Sequence, residues 1–300
     1  LSITSIAMSI ETSEKLEARH VQSLLDLGDG SVPGLNVATF EARQSALTIG
    51  IRGIVPLDAN QPAREQGVGV YIDGVYLGRQ HGLNASLLDI ERIEVLKGPQ
   101  GTLFGRNTSG GALSIVTKRP TGFLEGSVKA GSGNFNSHNL ETHLNLPSIA
   151  GLDTKFDFIT SYQGPTVSNS VGYGWNYFDK QGIRFSASFG PLYYTIDKGV
   201  DKNTPFYSQL PSIIESGPTR MSVADIGVPQ APSVGNTFGQ SLQLVFGSFR
   251  TITSYRSVNS TQWDNSGGAH RVPTPVALGV FSRYSLSELD QSQVSQELQW

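Results

Sequence analysis

The sequence predicts an α+β domain over about 1–120, followed by an antiparallel transmembrane β-barrel wall over 121–300. Three observations predict this fold class. Residues 1–120 mix short helical and strand-like segments and end on a stretch with five glycines at 98–111. After Pro120, apolar and polar residues alternate with the period of two that is typical of strands. Short and long connections between these later strands also alternate, as they do in outer-membrane barrels.

The composition limits the classes of function. The formal net charge is only −3, which gives no support for nucleic-acid binding. There is no cysteine, so disulfides and thiolate metal sites are excluded, and such a chain suits export through an oxidising compartment. No run approaches the roughly 20 apolar residues of a membrane helix. Strands of a membrane barrel carry a weaker, alternating signal that such a search misses.

The N-terminal domain is predicted to open with two short helices. The first covers 13–20 with Ser13 as N-cap, and the second covers 21–27 and ends at Gly28. Strand-like runs follow at 46–52, 68–73, 92–96 and 112–117. Asp73-Gly74 is predicted to form a turn, as Asp-Gly usually does. Strands joined by helices and turns suggest an α+β domain with a small sheet.

The wall is predicted to contain eight strands. They lie at about 123–131, 138–146, 152–163, 181–189, 192–199, 239–246, 249–258 and 293–300. The second, fourth and sixth connections are short, whereas the third, fifth and seventh are long. A β-sandwich has no reason to sort its loops in this way. We therefore expect the apolar faces of these strands, which include Leu144 and Phe185, to contact lipid.

The glycine-rich stretch does not fit a nucleotide site. A phosphate-binding loop needs Lys followed by Ser or Thr after its last glycine, and no window here supplies that pair. The dinucleotide pattern fails as well, because Ile72 stands where its third glycine would be. We interpret the glycines as structural, permitting positive φ angles and close backbone crossings. The structural glycines are Gly53, Gly98, Gly101, Gly105, Gly110 and Gly111.

Three ordered motifs carry a resemblance to a known family. IEVLKGPQGTLFGRNTSGGALSIVTKRP at 93–120 closely resembles the end of the plug domain of TonB-dependent outer-membrane receptors. IGIRGI at 49–54 and VGVYIDGVYLGR at 68–79 resemble earlier parts of the same plug. The resemblance implies a plug inside a barrel of about 22 strands. The eight strands would then be the first part of a larger barrel, and the energy-coupling segment would lie before Leu1.

The resemblance implies a receptor in the outer membrane of a Gram-negative bacterium. It would bind and import a scarce, bulky nutrient such as a ferric siderophore, cobalamin or an oligosaccharide. Its partners would be a TonB-type energy-coupling protein, outer-membrane lipid and the nutrient, with no nucleic acid. No catalytic residue, cofactor or metal is expected. The alternatives are a soluble two-domain β-rich binding protein, a truncated receptor without transport activity, and a hydrolase, for which no catalytic constellation stands out.

Substrate contacts are expected on two outward-facing loops, at 55–66 and 76–86. Their candidate residues are Asp58, Asn60, Gln61, Arg64, Arg79, Gln80, His81 and Asn84, each of which could equally be a solvated loop residue. The family resemblance also implies that Arg52 and Arg106 pair with acidic residues of the wall. Glu91, Arg92, Glu94 and Lys97 are expected to form a solvated or barrel-facing charge cluster.

Two further groups of side chains are ambiguous in the sequence. Tyr173, Trp175 and Tyr177 could stack on a ligand or belong to an aromatic girdle at the membrane surface, and the girdle is the favoured interpretation. His138 and His143 are five residues apart, so they point to opposite faces of a strand. This spacing argues against a shared metal and favours surface positions for both histidines.

Overall fold

The computed structural model describes residues 7–40, 43–56, 65–79, 81–84, 87–169, 172–205, 222, 230–264 and 285–300. The N-terminal domain contains β1 (Ala7–Thr12), α1 (Ser13–Ala18), a 3₁₀ helix (Leu24–Asp29), β2 (Leu35–Phe40), β3 (Arg43–Ile51), β4 (Val68–Ile72), β5 (Val75–Tyr76), β6 (Ile90–Lys97), α2 (Gly101–Phe104) and β7 (Gly111–Thr117). Five of these strands form one sheet in the order β1-β6-β7-β4-β5, and β2 and β3 form a separate hairpin.

The small sheet covers a continuous apolar core. Its fully buried members include Leu24, Leu47, Ile93 and Leu113, which come from the 3₁₀ helix and from both sheets. Strand β7 pairs parallel with β4 and antiparallel with β6, so it lies in the middle of the sheet. The predicted α+β domain is confirmed, and all four predicted strands in it are present.

The predicted turn at Asp73-Gly74 is also confirmed. It joins β4 to β5, which pair antiparallel. Asp73 has a φ of 50° and Gly74 a φ of 86°. Two consecutive positive φ angles are what the tightest hairpin turn needs, and Asp-Gly supplies them at low cost.

The helices differ from the prediction. The first has Thr12 as its N-cap, without a capping hydrogen bond from the Thr12 side chain, and the Ser13 hydroxyl donates to the Glu14 carboxylate. The second is a 3₁₀ helix that ends at Asp29 and has Gly30 as its C-cap, with a φ of 81°. The Asp26 carboxylate accepts hydrogen bonds from the backbone of the residues just before this helix, which fixes a tight entry. Strands β1, β2 and β5 were not predicted; β1 and β5 lie at the two edges of the five-stranded sheet.

The second part of the chain is one antiparallel sheet, called the wall here. Its strands are β8 (Glu125–Gly133), β9 (Ser137–Ile149), β10 (Leu152–Gln163), β11 (Phe178–Phe189), β12 (Leu192–Asn203), β13 (Ser233–Phe246), β14 (Phe249–Asp264) and β15 (Ser285–Gln299). Each strand pairs with the next, from β8 to β15. All eight predicted strands are confirmed. The turns after β9, β11 and β13 each span two residues, whereas the connections after β10, β12 and β14 are long.

The wall has its polar side chains buried and many of its apolar side chains exposed. On the inner face Lys155 and Ser186 are 1% and 0% exposed. On the outer face Phe156, Ile183 and Val294 are 48%, 51% and 78% exposed. Large apolar side chains exposed together on one face mark an interaction surface, such as one that contacts a membrane or another protein. The inner face is covered instead by the N-terminal domain, whose strand β3 contacts β12, β13 and β14.

No helix among the described residues is long and apolar enough to cross a membrane. The outer edges of β8 and β15 pair with no other strand in the described part of the chain.

Candidate functional site

Side chains on the inner face of the wall form two rows that run across the strands. The first row consists of hydroxyls opposite one another in register: Ser186, Thr195, Ser241, Ser254 and Ser295. The Thr195 and Ser241 hydroxyl oxygens lie 2.8 Å apart, and those of Ser254 and Ser295 lie 2.6 Å apart. Four of the five hydroxyls therefore hydrogen-bond in pairs across neighbouring strands, and the Ser186 hydroxyl has no hydrogen-bond partner among the described residues.

The second row carries charge, and we call it the charge row. It contains His143, Asp157, Arg184, Asp197 and Arg256, which lie in register on β9, β10, β11, β12 and β14. The signs alternate along the row, so most neighbouring strands present opposite charges to each other. Two carboxylates of the N-terminal domain approach this row from inside.

Asp89, just before β6, is the first of these carboxylates. Its Oδ2 lies 2.6 Å from Nζ of Lys155, which also lies 2.9 Å from Oδ1 of Asp157. Lys118 adds an ion pair of 3.1 Å to Asp89, and Lys155 donates to the Lys118 carbonyl oxygen at 3.3 Å. The contact therefore fastens the end of the N-terminal domain to β10 at the point where the chain enters the wall.

His143 completes this cluster. Its Nδ1 lies 2.8 Å from Asp157 Oδ1, and its Nε2 lies 2.7 Å from Glu141 Oε1. An ionised carboxylate only accepts hydrogen bonds, so both ring nitrogens have to donate, and the geometry fits an imidazolium. With Lys118 and Lys155, the imidazolium balances the three carboxylates of Asp89, Asp157 and Glu141. The expectation that His143 lies on the surface is wrong, because the side chain is buried between two strands and the N-terminal domain.

The same cluster brings together three groups that could ligate a metal. Ligand atoms of Asp89, His143 and Asp157 lie within 4.8 Å of one another. The Lys155 ammonium already contacts both carboxylates and so occupies the place that a cation would take between them. The arrangement fits a network of ion pairs better than a metal centre.

Electrostatics favour the ionised form of Asp89. Burial by itself raises the pKa of this carboxyl, but Lys155, His143 and Lys118 lower it, and the resulting pKa lies below the ordinary value. Elsewhere in the N-terminal domain, burial raises the pKa of Tyr71 to about 12. The Tyr71 hydroxyl remains protonated and donates to the Phe104 carbonyl oxygen at 2.6 Å.

Asp73, in the turn between β4 and β5, is the second carboxylate that meets the wall. Its side chain accepts hydrogen bonds from the backbone nitrogen and the hydroxyl of Thr117, at 2.9 and 2.8 Å. Its backbone carbonyl oxygen accepts from Gln243 of β13 at 2.8 Å. Arg184 Nη1 lies 3.7 Å from Asp73 Oδ2. The predicted Asp-Gly turn therefore contacts β7 of its own domain and both β11 and β13 of the wall.

Arg256 reaches across one strand to pair with Asp197. Its two terminal nitrogens donate to the two carboxylate oxygens at 3.1 and 3.0 Å. The strand between them carries Gly239, where an added Cβ would lie 2.6 Å from Cζ of Arg256. Glycine at this position makes room for the guanidinium to cross.

Uncharged contacts complete the interface. Gln293 of β15 donates to the Tyr76 carbonyl oxygen at 2.7 Å, and Gln262 of β14 donates to the Ser45 hydroxyl at 3.2 Å. The wall thus holds the N-terminal domain at points on β10, β11, β13, β14 and β15.

The structure describes only some of the predicted substrate-contact residues. Asp58, Asn60, Gln61, Arg64 and Gln80 lie outside the described residues. Arg79 is half-buried, whereas His81 and Asn84 are 5% and 0% exposed. The burial of these two side chains between the domain and the wall does not favour direct contact with a ligand, and the substrate-contact role stays a prediction.

The two predicted pairing arginines behave differently from the network above. Arg106 lies 3.5 Å from Glu65 of the same domain, and Arg52 is exposed. Their pairing with the wall stays a prediction. In the ion pairs that the structure describes between the two parts, the N-terminal domain supplies the carboxylates and the wall supplies the cations. Arg92 forms ion pairs with Glu91 and Glu94, at 2.5 and 2.6 Å, within the domain itself.

The predicted structural glycines divide into three kinds. Gly53, Gly98 and Gly105 have positive φ angles of 80°, 97° and 78°. Gly110 and Gly111 are in crowded surroundings. A Cβ added at Gly110 would lie 3.0 Å from the Ile54 side chain, and one added at Gly111 would lie 2.2 Å from the Leu96 carbonyl oxygen. Gly101 meets neither condition, since its surroundings are open and its φ is not positive.

The aromatic residues after β10 do not form the favoured girdle. Trp175 and Tyr177 are 1% and 9% exposed. Trp175 is held within its own loop, where its backbone pairs with Val167. Side chains buried in this way do not face lipid, although Tyr173 is 47% exposed.

Sequence reasoning missed the charge row and Lys155. The signal was present, because Lys155, Asp157, Arg184 and Asp197 all fall on the polar face of an alternating strand. What the sequence lacks is the register between strands, and only the register shows that their charges alternate.

Comparisons with known proteins agree with this architecture. Residues 2–112 match the family described as TonB-dependent Receptor Plug Domain. The Pesticin receptor of Yersinia enterocolitica is 29% identical over 165 residues, which cover 50% of this chain and 24% of that protein.

Two solved structures share the fold. The ferric yersiniabactin uptake receptor FyuA from Yersinia pestis matches with a TM-score of 0.72 and 20% identity, over 87% of this chain and 42% of that chain. The siderophore receptor PiuA from Acinetobacter baumannii matches with a TM-score of 0.70 and 18% identity, over 98% of this chain and 42% of that chain. This chain therefore spans less than half of the length of these relatives.

Proposed function

We propose that this chain, which belongs to the TonB-dependent outer-membrane receptors, is the N-terminal part of a protein that imports a scarce, bulky nutrient. It resides in the outer membrane of a Gram-negative bacterium. The substrate class we propose is the ferric siderophores, because the two structurally similar proteins are a ferric yersiniabactin uptake receptor and a siderophore receptor. The receptor performs no chemistry on this substrate.

The distribution of polarity in the wall is the observation that carries the proposal. Charged and hydroxyl side chains of the inner face are buried against the N-terminal domain, while large apolar side chains of the outer face are exposed. A membrane barrel requires an apolar outer surface and tolerates a polar interior. A domain that fills this interior blocks passage until it moves, which is the arrangement of a gated importer.

A soluble binding protein is a weaker alternative. It would leave Phe156, Phe246 and Val294 in water, at exposures of 48%, 75% and 78%. Exposed apolar surface on this scale marks an interaction with a membrane or with another protein. A truncated receptor without transport activity would share the same wall, so it is distinguished by uptake and not by structure.

The energy for import is proposed to come from a TonB-type protein of the inner membrane. Buried contacts of Asp73 and Asp89 join the N-terminal domain to the wall. Work delivered from outside the barrel is therefore needed to displace them. Lipid of the outer membrane would contact the exposed apolar face.

Uptake of radioactive iron tests the proposal. The full-length receptor is produced in a Gram-negative strain that lacks its own ferric receptors, and a panel of iron-loaded siderophores is offered. We expect uptake of at least one siderophore, and we expect it to disappear when the TonB gene is deleted. Uptake that persists without TonB would contradict the proposal, as would recovery of the receptor in the soluble fraction.

A further inference from the structure

Asp201 is a buried carboxyl group on the inner face of β12, and its hydrogen bonding is incomplete. Asp201 and Asn203, two residues further along the same face, are 1% and 0% exposed. Asn203 Nδ2 donates to Asp201 Oδ2 at 3.0 Å. The other side-chain oxygen of each residue, Oδ1, has no hydrogen-bond donor among the described residues. Two buried acceptors therefore lack a donor, and they belong to groups that already share one hydrogen bond.

No cation forms an ion pair with Asp201 in the part of the chain that the structure describes. Lys180 lies opposite Asp201 in register on β11 and attracts the carboxyl group, but it forms no ion pair with it. The Lys180 ammonium lies 5.8 Å from the centre of the Phe178 ring. Asp179 is the other charged group among the described residues that acts on Asp201, and it repels a negative charge there. An ionised Asp201 would therefore be a buried charge without a partner.

The carboxylates of the charge row differ from Asp201 in this respect. Asp157 Oδ1 lies 2.9 Å from Nζ of Lys155, and Asp197 Oδ1 lies 3.0 Å from Nη2 of Arg256. Such cations favour the ionised form of a buried carboxyl group. A buried carboxyl group without one becomes neutral by holding a proton.

The N-terminal domain lies against this part of the wall. Gly235 of β13 is opposite Asp201 in register. A Cβ added at Gly235 would lie 3.6 Å from Cβ of Ser45 and 3.9 Å from Cα of Gly82, both of which belong to the domain. Strand β3 of the domain also contacts β12. The incomplete hydrogen bonding of Asp201 and Asn203 therefore occurs where the two parts of the chain meet.

One proton accounts for both incomplete oxygens. An ionised carboxylate and an amide oxygen only accept hydrogen bonds, whereas a neutral carboxylic acid also has an O–H donor. With hydrogen on Asp201 Oδ1, the acid can donate to Asn203 Oδ1 while it accepts from Asn203 Nδ2. The two planar groups then form a ring of two hydrogen bonds, and each oxygen has a partner.

We propose that Asp201 is a neutral carboxylic acid in the folded receptor at neutral pH, and that its Oδ1–H donates to Asn203 Oδ1. The contact between β12 and the domain is thus a proton-binding site. The proton comes from solvent when the site forms, and it returns to solvent when water reaches Asp201. In a receptor that imports its ligand as proposed above, movement of the domain away from β12 would release this proton.

Infrared spectroscopy detects the protonated acid directly, because the C=O stretch of a carboxylic acid is separate from that of a carboxylate. Spectra of the full-length parent and of Asp201→Asn are recorded at neutral pH and subtracted. We expect a carboxylic acid band that is present in the parent, is missing from the variant, and shifts when the parent contains ¹³C-labelled aspartate. The matched control is Asp290→Asn, which removes an exposed aspartate of the wall and should leave the band in place.

Thermal unfolding as a function of pH provides an independent measurement. Asparagine at position 201 can form the same ring with Asn203, so we expect Asp201→Asn to fold. Above the unfolded pKa of about 3.9, the unfolded parent releases the proton that the folded parent retains, so the parent loses stability as the pH rises. We therefore expect the Tm of the parent to fall relative to that of Asp201→Asn from about pH 4 to about pH 8.

The other outcomes decide against the site. Absence of the carboxylic acid band from the parent would overturn the proposal, as would a Tm difference between parent and Asp201→Asn that does not change with pH. A difference that grows in favour of the parent, together with a rise in its Tm on addition of sodium or calcium chloride, would show that a cation neutralises Asp201 instead. If Asp201→Asn does not fold, neutron diffraction from crystals of the parent decides, by the presence or absence of deuterium on Asp201 Oδ1. None of these measurements depends on transport, so the site can fail while the proposed function stands.

Discussion

Lys155 lies between two carboxylates that belong to different domains. Asp157 comes from the same strand and Asp89 from the N-terminal domain, and the lysine side chain is 1% exposed. A buried ion pair adds little to the free energy of unfolding when it is compared with well-packed apolar residues in the same place. Removing only one partner is costly, because the other charge stays buried and uncompensated. The importance of Lys155 therefore shows only when it is replaced.

We expect Lys155→Met to destabilise the full-length receptor by roughly 3–5 kcal/mol, because Asp89 and Asp157 lose their shared cation. Chemical unfolding measures the change. The matched control is Lys129→Met, which removes the exposed ion pair of 2.8 Å with Glu17. An exposed pair contributes about 0–1 kcal/mol. Equal losses in the two variants would contradict a special role for the buried lysine.

The lowered pKa of Asp89 makes a prediction about pH. A carboxyl whose pKa is depressed in the folded protein contributes stability above its unfolded pKa of about 3.9 and loses it as the pH falls through the folded pKa. We therefore expect the parent to exceed Asp89→Asn in Tm by a constant amount from neutral pH to about pH 4, and by less at lower pH. A difference between the two proteins that grows on acidification would contradict this assignment.

Gly111 tests the structural interpretation of the glycine-rich stretch. An added Cβ would lie 2.2 Å from the Leu96 carbonyl oxygen, and the φ of 150° is unfavourable for other residues. We expect Gly111→Ala to cost about 1–3 kcal/mol in thermal unfolding of the full-length receptor. Gly101→Ala, with open space around it, serves as the control. ATP should change neither variant, and a nucleotide-dependent rise in Tm would revive the phosphate-loop interpretation.

At the scale of the element, the wall strands were predictable and the helices of the N-terminal domain were not. A strand that separates lipid from a polar interior must alternate along most of its length, so its sequence carries the signal many times over. A helix of six residues such as α1 completes fewer than two turns, so its periodic signal is short and its boundary is easily misplaced by a residue or two. The same redundancy made the turns after β9, β11 and β13 visible in the sequence.

The alternating strands also predict where lipid lies. Leu144, Phe156, Phe185 and Ile196 are opposite one another in register on the outer face. We expect Leu144→Arg and Phe185→Arg each to destabilise the barrel by up to about 2–4 kcal/mol, as measured by unfolding of the complete protein in bilayers. Asp290→Arg, on the outer face of β15 but in a polar row nearer the long loops, should cost about 0–1 kcal/mol. No effect from either apolar replacement would contradict a membrane location.

At the scale of the whole molecule, the order of the parts was predictable and their mutual contacts were not. Motifs in the sequence indicated a domain followed by a wall, and the alternation indicated which face of the wall is polar. The contacts of Asp73 and Asp89 depend on how the domain is rotated inside the wall, which no local pattern specifies. The family resemblance implied that arginines of the domain pair with acidic residues of the wall. The contacts of Asp73 and Asp89 have the reverse arrangement, with carboxylates on the domain and cations on the wall.

The last prediction concerns the size of the barrel. An eight-stranded barrel is filled by its own side chains, whereas the inner face of this wall is covered by a whole domain. The outer edges of β8 and β15 pair with no other strand in the described part of the chain. Unpaired edges are not tolerated in lipid, so we expect about fourteen further strands to close a barrel of about 22.

Spin labels at Ala130→Cys on β8 and Ser292→Cys on β15 measure the distance between these two strands in the full-length receptor. Eight strands at a spacing of about 4.8 Å separate these labels by on the order of 30 Å. A control pair at Thr253→Cys and Gln296→Cys, which lie opposite each other on neighbouring strands, should give a short distance. A short distance for both pairs would mean that β8 and β15 meet, and the larger barrel would be excluded.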